Sequence, residues 1–150
     1  MNPLREAVLE EANSWLGTPF HHEARIKGGG VDCGQFLLEV YERVGIIPHV
    51  DVPHYPPDFH LHKDREWYSE IVRTYAEEFR GIPEPADIAL YKIGRVYSHG
   101  AIVVGWPMII HAYIAHRKVE KARGVGGFFA GHEVKFFRPF AFSQTAATVE

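Results

Sequence analysis

Three side chains in this sequence have the types and the order that nucleophilic catalysis needs: Cys33, His99 and His111. A thiol attacks a carbonyl well only when a base takes its proton; the same base later protonates the leaving group, and a third group fixes the base's orientation. Histidine suits both proton steps. Cys33 is the only cysteine, and a lone cysteine in a globular chain is as a rule inert core filler. Its setting argues for more. Gly28, Gly29, Gly30 and Gly34 surround it and leave room for a substrate backbone, which a buried structural cysteine does not need. Taken singly, His99 reads as a solvated strand-end histidine and His111 as a buried one satisfied by backbone. Taken with Cys33, they read as base and orienting group.

These residues need elements that bring them together. Phe36, Leu37, Val40, Tyr41 and Val44 fall on one face of a helix, with Glu39, Glu42 and Arg43 on the other, so the thiol sits at a helix start. There the unpaired N–H groups and the positive end of the helix dipole favour a thiolate. Asp32 is a natural N-cap whose charge opposes part of that effect; binding a substrate amine is an equally good role for it. His99 opens a strand from Ala101 to Val104, and His111 lies in the next, Met108 to Tyr113. If Gly105 to Pro107 turn the chain back, the two histidines become hairpin neighbours on one face, with Cys33 approaching from the helix packed across it. His111, flanked by Ile109, Ile110, Ala112 and Tyr113, should be desolvated and neutral, sharing one hydrogen bond with the base.

The rest of the chain supplies the frame. Leu4, Ala7, Val8, Glu11, Ala12 and Trp15 mark a first helix that Gly17 and Pro19 stop. Residues 17–30 read as an irregular loop. Pro48, Pro53, Pro56 and Pro57 exclude helix and central strand from the following segment, which reads as a long ordered loop or lid pinned by Tyr55, Phe59 and Leu61. A second long helix is expected from Asp64 to Arg80, with Trp67, Ile71, Tyr75 and Phe79 on one face. Short apolar or alternating runs then follow, from Ile88 to Phe137, which predict an antiparallel sheet. Helices first and strands afterwards make an α+β domain. Residues 143–150 read as a loose tail.

At 150 residues the chain fits a single domain, 1–150, able to bury about 70% of its unfolded surface without disulfides. A net charge of −3 with mixed signs argues against nucleic acid as a partner. Met1 to Leu16 lack an uninterrupted apolar core, so no secretory signal is read there, and no window reaches membrane-spanning length. Synthesis in the cytoplasm without membrane insertion is expected. His21, His22, His49, His54, His60 and His62 lie in loop-like sequence and read as surface. Without a cysteine or dense carboxylate set to complete a ligand pattern, no metal and no cofactor is expected.

At this point the sequence resembles the NlpC-type cell-wall cysteine peptidases, which are papain-like. Gly17-Thr18-Pro19-Phe20 is similar to the family's Gly-x-Pro-Tyr loop, and Gly30-Val31-Asp32-Cys33-Gly34 to its Asp-Cys nucleophile turn. Pro85-Ala86-Asp87-Ile88 resembles the Pro-Gly-Asp-Leu start of its sheet. Ser98-His99-Gly100 and Ile110-His111-Ala112 look like its base strand and orienting strand. The phage and prophage tail-associated branch is the most similar, through His21 and His22, Lys27-Gly28, the Tyr55 to Phe59 element and the closing Phe137-Arg138-Pro139.

The resemblance implies a papain-like α+β fold with the nucleophile helix packed on the sheet. It implies catalysis by Cys33, His99 and His111, with substrate contacts at Phe20, Asp32, Gly34 and Ser98. The reaction it implies is hydrolysis of an amide in peptidoglycan stem peptides, typically between D-glutamate and a diamino acid. It also implies phage tail proteins as partners, which would carry a wall enzyme in the virion tail without an export signal. Three positions depart from the pattern: Phe20 replaces a tyrosine, Gly34 a frequent serine and Ala86 a glycine. The two lost hydroxyls leave a second reading open, a structural tail component that hydrolyses nothing. A third is a thiol-dependent hydrolase or transferase acting on another acyl group.

Overall fold

A computed structural model of the chain describes residues 2–56 and 66–143. His60, His62, Phe59, Leu61, Asp64 and the tail after Ser143 lie outside the described residues. Three helices and eight strands follow in order: α1 (Pro3–Ser14), β1 (Arg25–Ile26), β2 (Gly30–Val31), α2 (Cys33–Val44), α3 (Trp67–Tyr75), β3 (Ala76–Phe79), β4 (Ile88–Ile93), β5 (Val96–Gly105), β6 (Met108–Tyr113), β7 (Lys118–Arg123) and β8 (Val134–Pro139). Six of the strands form one antiparallel sheet in the order β3-β8-β4-β5-β6-β7, and β1-β2 pair separately. The α+β expectation holds.

Both early helices form for the reasons legible in their ends. Asn2 caps α1 by accepting from the Leu4 N–H at 2.8 Å, with Pro3 pre-set at the first helical position. Asp32 caps α2 by accepting from the Gln35 N–H at 2.9 Å, and Gly45, at φ 87°, ends it in the left-handed conformation. The expected stripe of α2 is the one that packs: Phe36, Leu37, Val40 and Tyr41 are buried against Leu90, Ile102, Ile110 and Ala112 of the sheet. The other face of the same strands holds a second cluster of Ala89, Tyr91, Ala101, Val103, Ile109 and Phe129. This alternation decides where each strand residue points.

Three sequence expectations need correction. Residues 76–79 are not the end of a helix: α3 stops at Tyr75, and Ala76–Phe79 pair with Phe136–Pro139 as an edge strand, so sheet pairing overrides the helical spacing of Phe79. The 17–30 loop contains the β1-β2 hairpin. Residues 140–143 form a helical turn, so Ser143 closes that turn rather than opening the expected tail, and Phe142 is buried under the Arg5 guanidinium at 4.3 Å.

The proline-rich segment before residue 57 is strapped to the body. Arg25 donates to the Val50 carbonyl at 2.8 Å and pairs with Glu39 and Glu42 of α2 at 2.5 and 2.7 Å. His22 Nε2 bonds the Tyr55 carbonyl at 2.7 Å, the Tyr55 N–H donates to Glu23 at 2.9 Å, and the Tyr55 ring packs on Trp67 at 5.1 Å. Tyr55 is the pin that the sequence suggests.

The start of the sheet is held by a buried ionic tie. The fully buried Asp87 carboxylate accepts from Arg5 of α1 at 3.0 Å and from Arg138 of β8 at 3.1 and 2.8 Å. Beside it, Ala86 stands at φ 76° where the resembling family has glycine, so its methyl occupies a strained conformation at the turn into β4. Removing one member of a buried charge network leaves the others uncompensated. Asp87→Ala is expected to lower unfolding stability by about 3 kcal/mol, read as a fall in the urea midpoint; an unchanged midpoint would show that the tie is not stabilising.

Candidate active site

Cys33 is the first residue of α2, and β5 runs past its sulfur. β5 pairs with β4 with one extra residue: Tyr91 opposes His99, but Lys92 opposes Tyr97, so Ser98 is bulged out. Bulges re-aim the neighbouring side chain and free its backbone for other partners. Here the Ser98 carbonyl accepts from the Cys33 thiol at 3.6 Å, while the Ser98 hydroxyl donates to the Ile93 carbonyl at 3.1 Å. The resting thiol therefore points at the backbone before His99 and not at its ring.

His99 and His111 are joined as the hairpin reading expects. Gly105 opposes Met108 across the turn, and His99 Nε2 and His111 Nδ1 are 2.8 Å apart. Their rings do not face α2, however. His99 follows the alternation of Ala101 and Val103 and sits among Tyr91, Phe128, Phe129 and Tyr113, with centroids 5.9 to 6.4 Å away. His111 stacks on Tyr113 at 5.1 Å. The expectation that the sulfur approaches across the histidine face is thus corrected: sulfur and imidazole reach one cleft from opposite faces of β5. Cys33 and His99 line one open cleft of about 270 Å³, together with Phe20, His22, Asp32, Gly34, Tyr55, Tyr68, Ser98 and Phe128. His111 stands behind His99, only 1% exposed.

The electrostatics also depart from the sequence reading. Burial, and then the Asp32 charge, push the Cys33 thiol up to about 12, so the helix start does not make a resting thiolate. Burial, and then the His111 ring, bring His99 down to about 3; burial brings His111 down to about 4. At neutral pH the site holds a thiol and two neutral imidazoles. A free lone pair on His99 Nδ1 requires its Nε2 to carry the proton and donate to His111 Nδ1. His111 then carries its own proton on Nε2, which is buried without a partner among the described residues. Glu120 lies opposite His111 in the β6-β7 ladder and favours its charged form, though its carboxylate bonds His116 at 2.6 Å.

All four expected substrate contacts line the cleft, but two are engaged elsewhere. Besides capping α2, Asp32 accepts from the Glu23 N–H at 2.8 Å and from the Tyr55 hydroxyl, so both of its oxygens are used within the chain. Ser98 is committed to Ile93. Phe20 is set in place by its N–H bond to the Arg117 carbonyl at 2.8 Å and its bridge to Val31. Gly34 lies under the ring of Tyr68. Sequence reasoning assigns two further cleft residues no place beside the thiol. His22 reads as surface but is half-buried beside Tyr55, and Tyr68 lies one position off the aromatic stripe of its helix.

No protein-family model matches the sequence, and no curated protein does. Solved structures do resemble the fold. The NlpC/p60 domain of the peptidoglycan hydrolase SagA superposes with a TM-score of 0.61 at 17% identity, over 87% of this chain and 96% of that one. NlpC2 from Trichomonas vaginalis gives 0.67 at 15% identity over 93% of this chain, and the peptidoglycan hydrolase RipB from Mycobacterium tuberculosis 0.62 at 17% over 90%. This chain spans 48% and 64% of those two proteins' lengths. The chain has the papain-like α+β fold of NlpC/p60 domains.

The depressed histidines make a stability prediction. Between pH 6.5 and about 4 the unfolded chain binds protons on these imidazoles that the folded chain refuses. Their contribution is complete above pH 6.5 and is lost as pH falls, by up to about 1.4 kcal/mol per pH unit for each group. His111→Asn is expected to flatten the dependence of the urea midpoint on pH between 6.5 and 4.5; slopes equal to wild type would contradict a neutral pair with His111 buried.

Proposed function

We propose that this protein is a cysteine peptidase that hydrolyses an amide bond in the stem peptides of peptidoglycan. The observation that carries the reading is the pairing of His99 with His111 at 2.8 Å beside a cleft that also holds a helix-start thiol, in an NlpC/p60-type fold. The solved neighbours called peptidoglycan hydrolases support the wall polymer as substrate. The chain acts as one catalytic domain, and the scissile bond joins D-glutamate to a diamino acid. The setting is a phage tail, a reading supported by the resemblance of His22, Tyr55 and Phe137-Arg138-Pro139 to the tail-associated branch.

In this mechanism the thiol turns from the Ser98 carbonyl into the cleft and attacks the amide carbonyl carbon as its proton passes to His99 Nδ1. Because both partners rest neutral, proton transfer and attack are coupled. The oxyanion is met by the Cys33 N–H, which stands in the first turn of α2 where the helix supplies no partner; such a donor is worth about 3 kcal/mol. His99 gives its proton to the leaving amine, leaving a thioester on Cys33. Water then loses a proton to His99 and attacks the thioester carbonyl, and the sulfur leaves and takes that proton back as the thiol. His111 holds the tautomer throughout.

One observation favours a second reading, a tail component that does not hydrolyse. The thiol is held protonated against a carbonyl. Incubation with defined stem peptides separates the two. Fragment release is expected from wild type and none from Cys33→Ala, with a loss of about 10²- to 10⁴-fold in His99→Ala. Release that survives in Cys33→Ala, or none in wild type, would overturn the peptidase. A Cys33 adduct whose mass is not that of a stem-peptide fragment would indicate a different acyl substrate.

A further inference from the structure

Tyr68 projects from α3 to the sulfur of Cys33, and its side chain is 6% exposed. The phenol oxygen is fully buried and lies near enough to the sulfur to favour its thiolate, yet it is aligned as a full hydrogen bond neither to the sulfur nor to another group among the described residues; the sulfur's own aligned bond goes to Ser98. A buried hydroxyl without a partner costs stability that a phenylalanine would not, so its retention calls for a reason. The surroundings supply one. The residue after the nucleophile, Gly34, and the residue after the base, Gly100, are both glycines over which this one ring lies. A Cβ on Gly34 would stand 3.2 Å from Tyr68 Cε2, and one on Gly100 would collide with the phenol oxygen. Two bare positions flanking Cys33 and His99 thus leave room for this ring, and at Gly100 also for the Leu37 side chain, which a Cβ would meet at 2.5 Å.

We propose that Tyr68 is a further catalytic residue, whose O–H donates a hydrogen bond to the Cys33 sulfur when it becomes a thiolate. The donor is held in reserve: it is unaligned while the thiol faces Ser98 and finds its acceptor when the proton leaves for His99. No bond to the phenol is made or broken. Burial, with Cys33 and Asp32 close by, raises the phenol's own ionisation well above the usual tyrosine range, so it remains a donor wherever the thiol is being tested. Charge-assisted hydrogen bonds of this kind are the strong ones. The ring lying over it explains why Gly34 carries no side chain here. Its hydroxyl comes from an element other than the loop of Phe20.

The proposal rests on Cys33 being the nucleophile but not on the peptidoglycan substrate, and alkylation tests it without any substrate. With one cysteine in the chain, iodoacetamide reports on Cys33 alone. The logarithm of the alkylation rate should rise with unit slope from pH 7.5 to 9.5 in wild type, and Tyr68→Phe should lie about tenfold lower at every pH. Rates equal to wild type, or higher, would overturn the proposal. If Tyr68→Phe loses its cooperative unfolding transition, wild-type protein labelled with 3-fluorotyrosine provides the reading at pH 7 to 8. Its phenols are stronger donors, so alkylation should be faster; an unchanged or slower rate would overturn the proposal. A Tyr68 effect on alkylation without release from stem peptides would remove only the substrate reading.

Discussion

The meeting of the α2 N-terminus with the bulged backbone of β5 is the contact on which the site depends. One extra residue, Ser98, turns a strand carbonyl toward the Cys33 sulfur and sets the phase of everything after it. Beyond the bulge, Gly100 faces the helices while His99 faces the aromatic cluster of the opposite side. Had the strand paired regularly, a one-residue change of phase would exchange those faces. The sulfur and the imidazole are therefore brought to one cleft from opposite faces of β5.

That contact is only as firm as the parts that hold α2 and the sheet together. Asp87 draws α1 and β8 to the start of β4, and the Tyr41 hydroxyl ties α2 to the Ala86 carbonyl at 2.7 Å. At the other end Asp32 joins the helix start, the β1 approach and the strap through one carboxylate. This explains a tension in the site. The cap that positions Cys33 is also a charge that disfavours its thiolate, so the chain must supply stabilisation from elsewhere.

Much of this was legible in the residues. Caps and 3.6-residue spacing set α1 and α2 because their ends are local features, and Gly105 to Pro107 marked the hairpin that joins His99 to His111. What stayed hidden depends on distant partners. Ala76–Phe79 carries helical spacing but is claimed by the edge of β8. The bulge at Ser98 leaves no mark in composition. The protonation of Cys33 depends on its desolvation in the half-buried cleft and on the Asp32 charge, so a helix-start argument alone gives the wrong state. Tyr68 lies off the aromatic stripe that the sequence marks, and the two glycines that it covers are distant from it in the chain.

One sulfur does the chemistry in this mechanism, and progressive alkylation of the wild-type protein tests this most directly. Release of fragments from a defined stem peptide should fall in proportion to the alkylated fraction and reach zero at one alkyl group per chain. Release that persists in fully alkylated protein would contradict it.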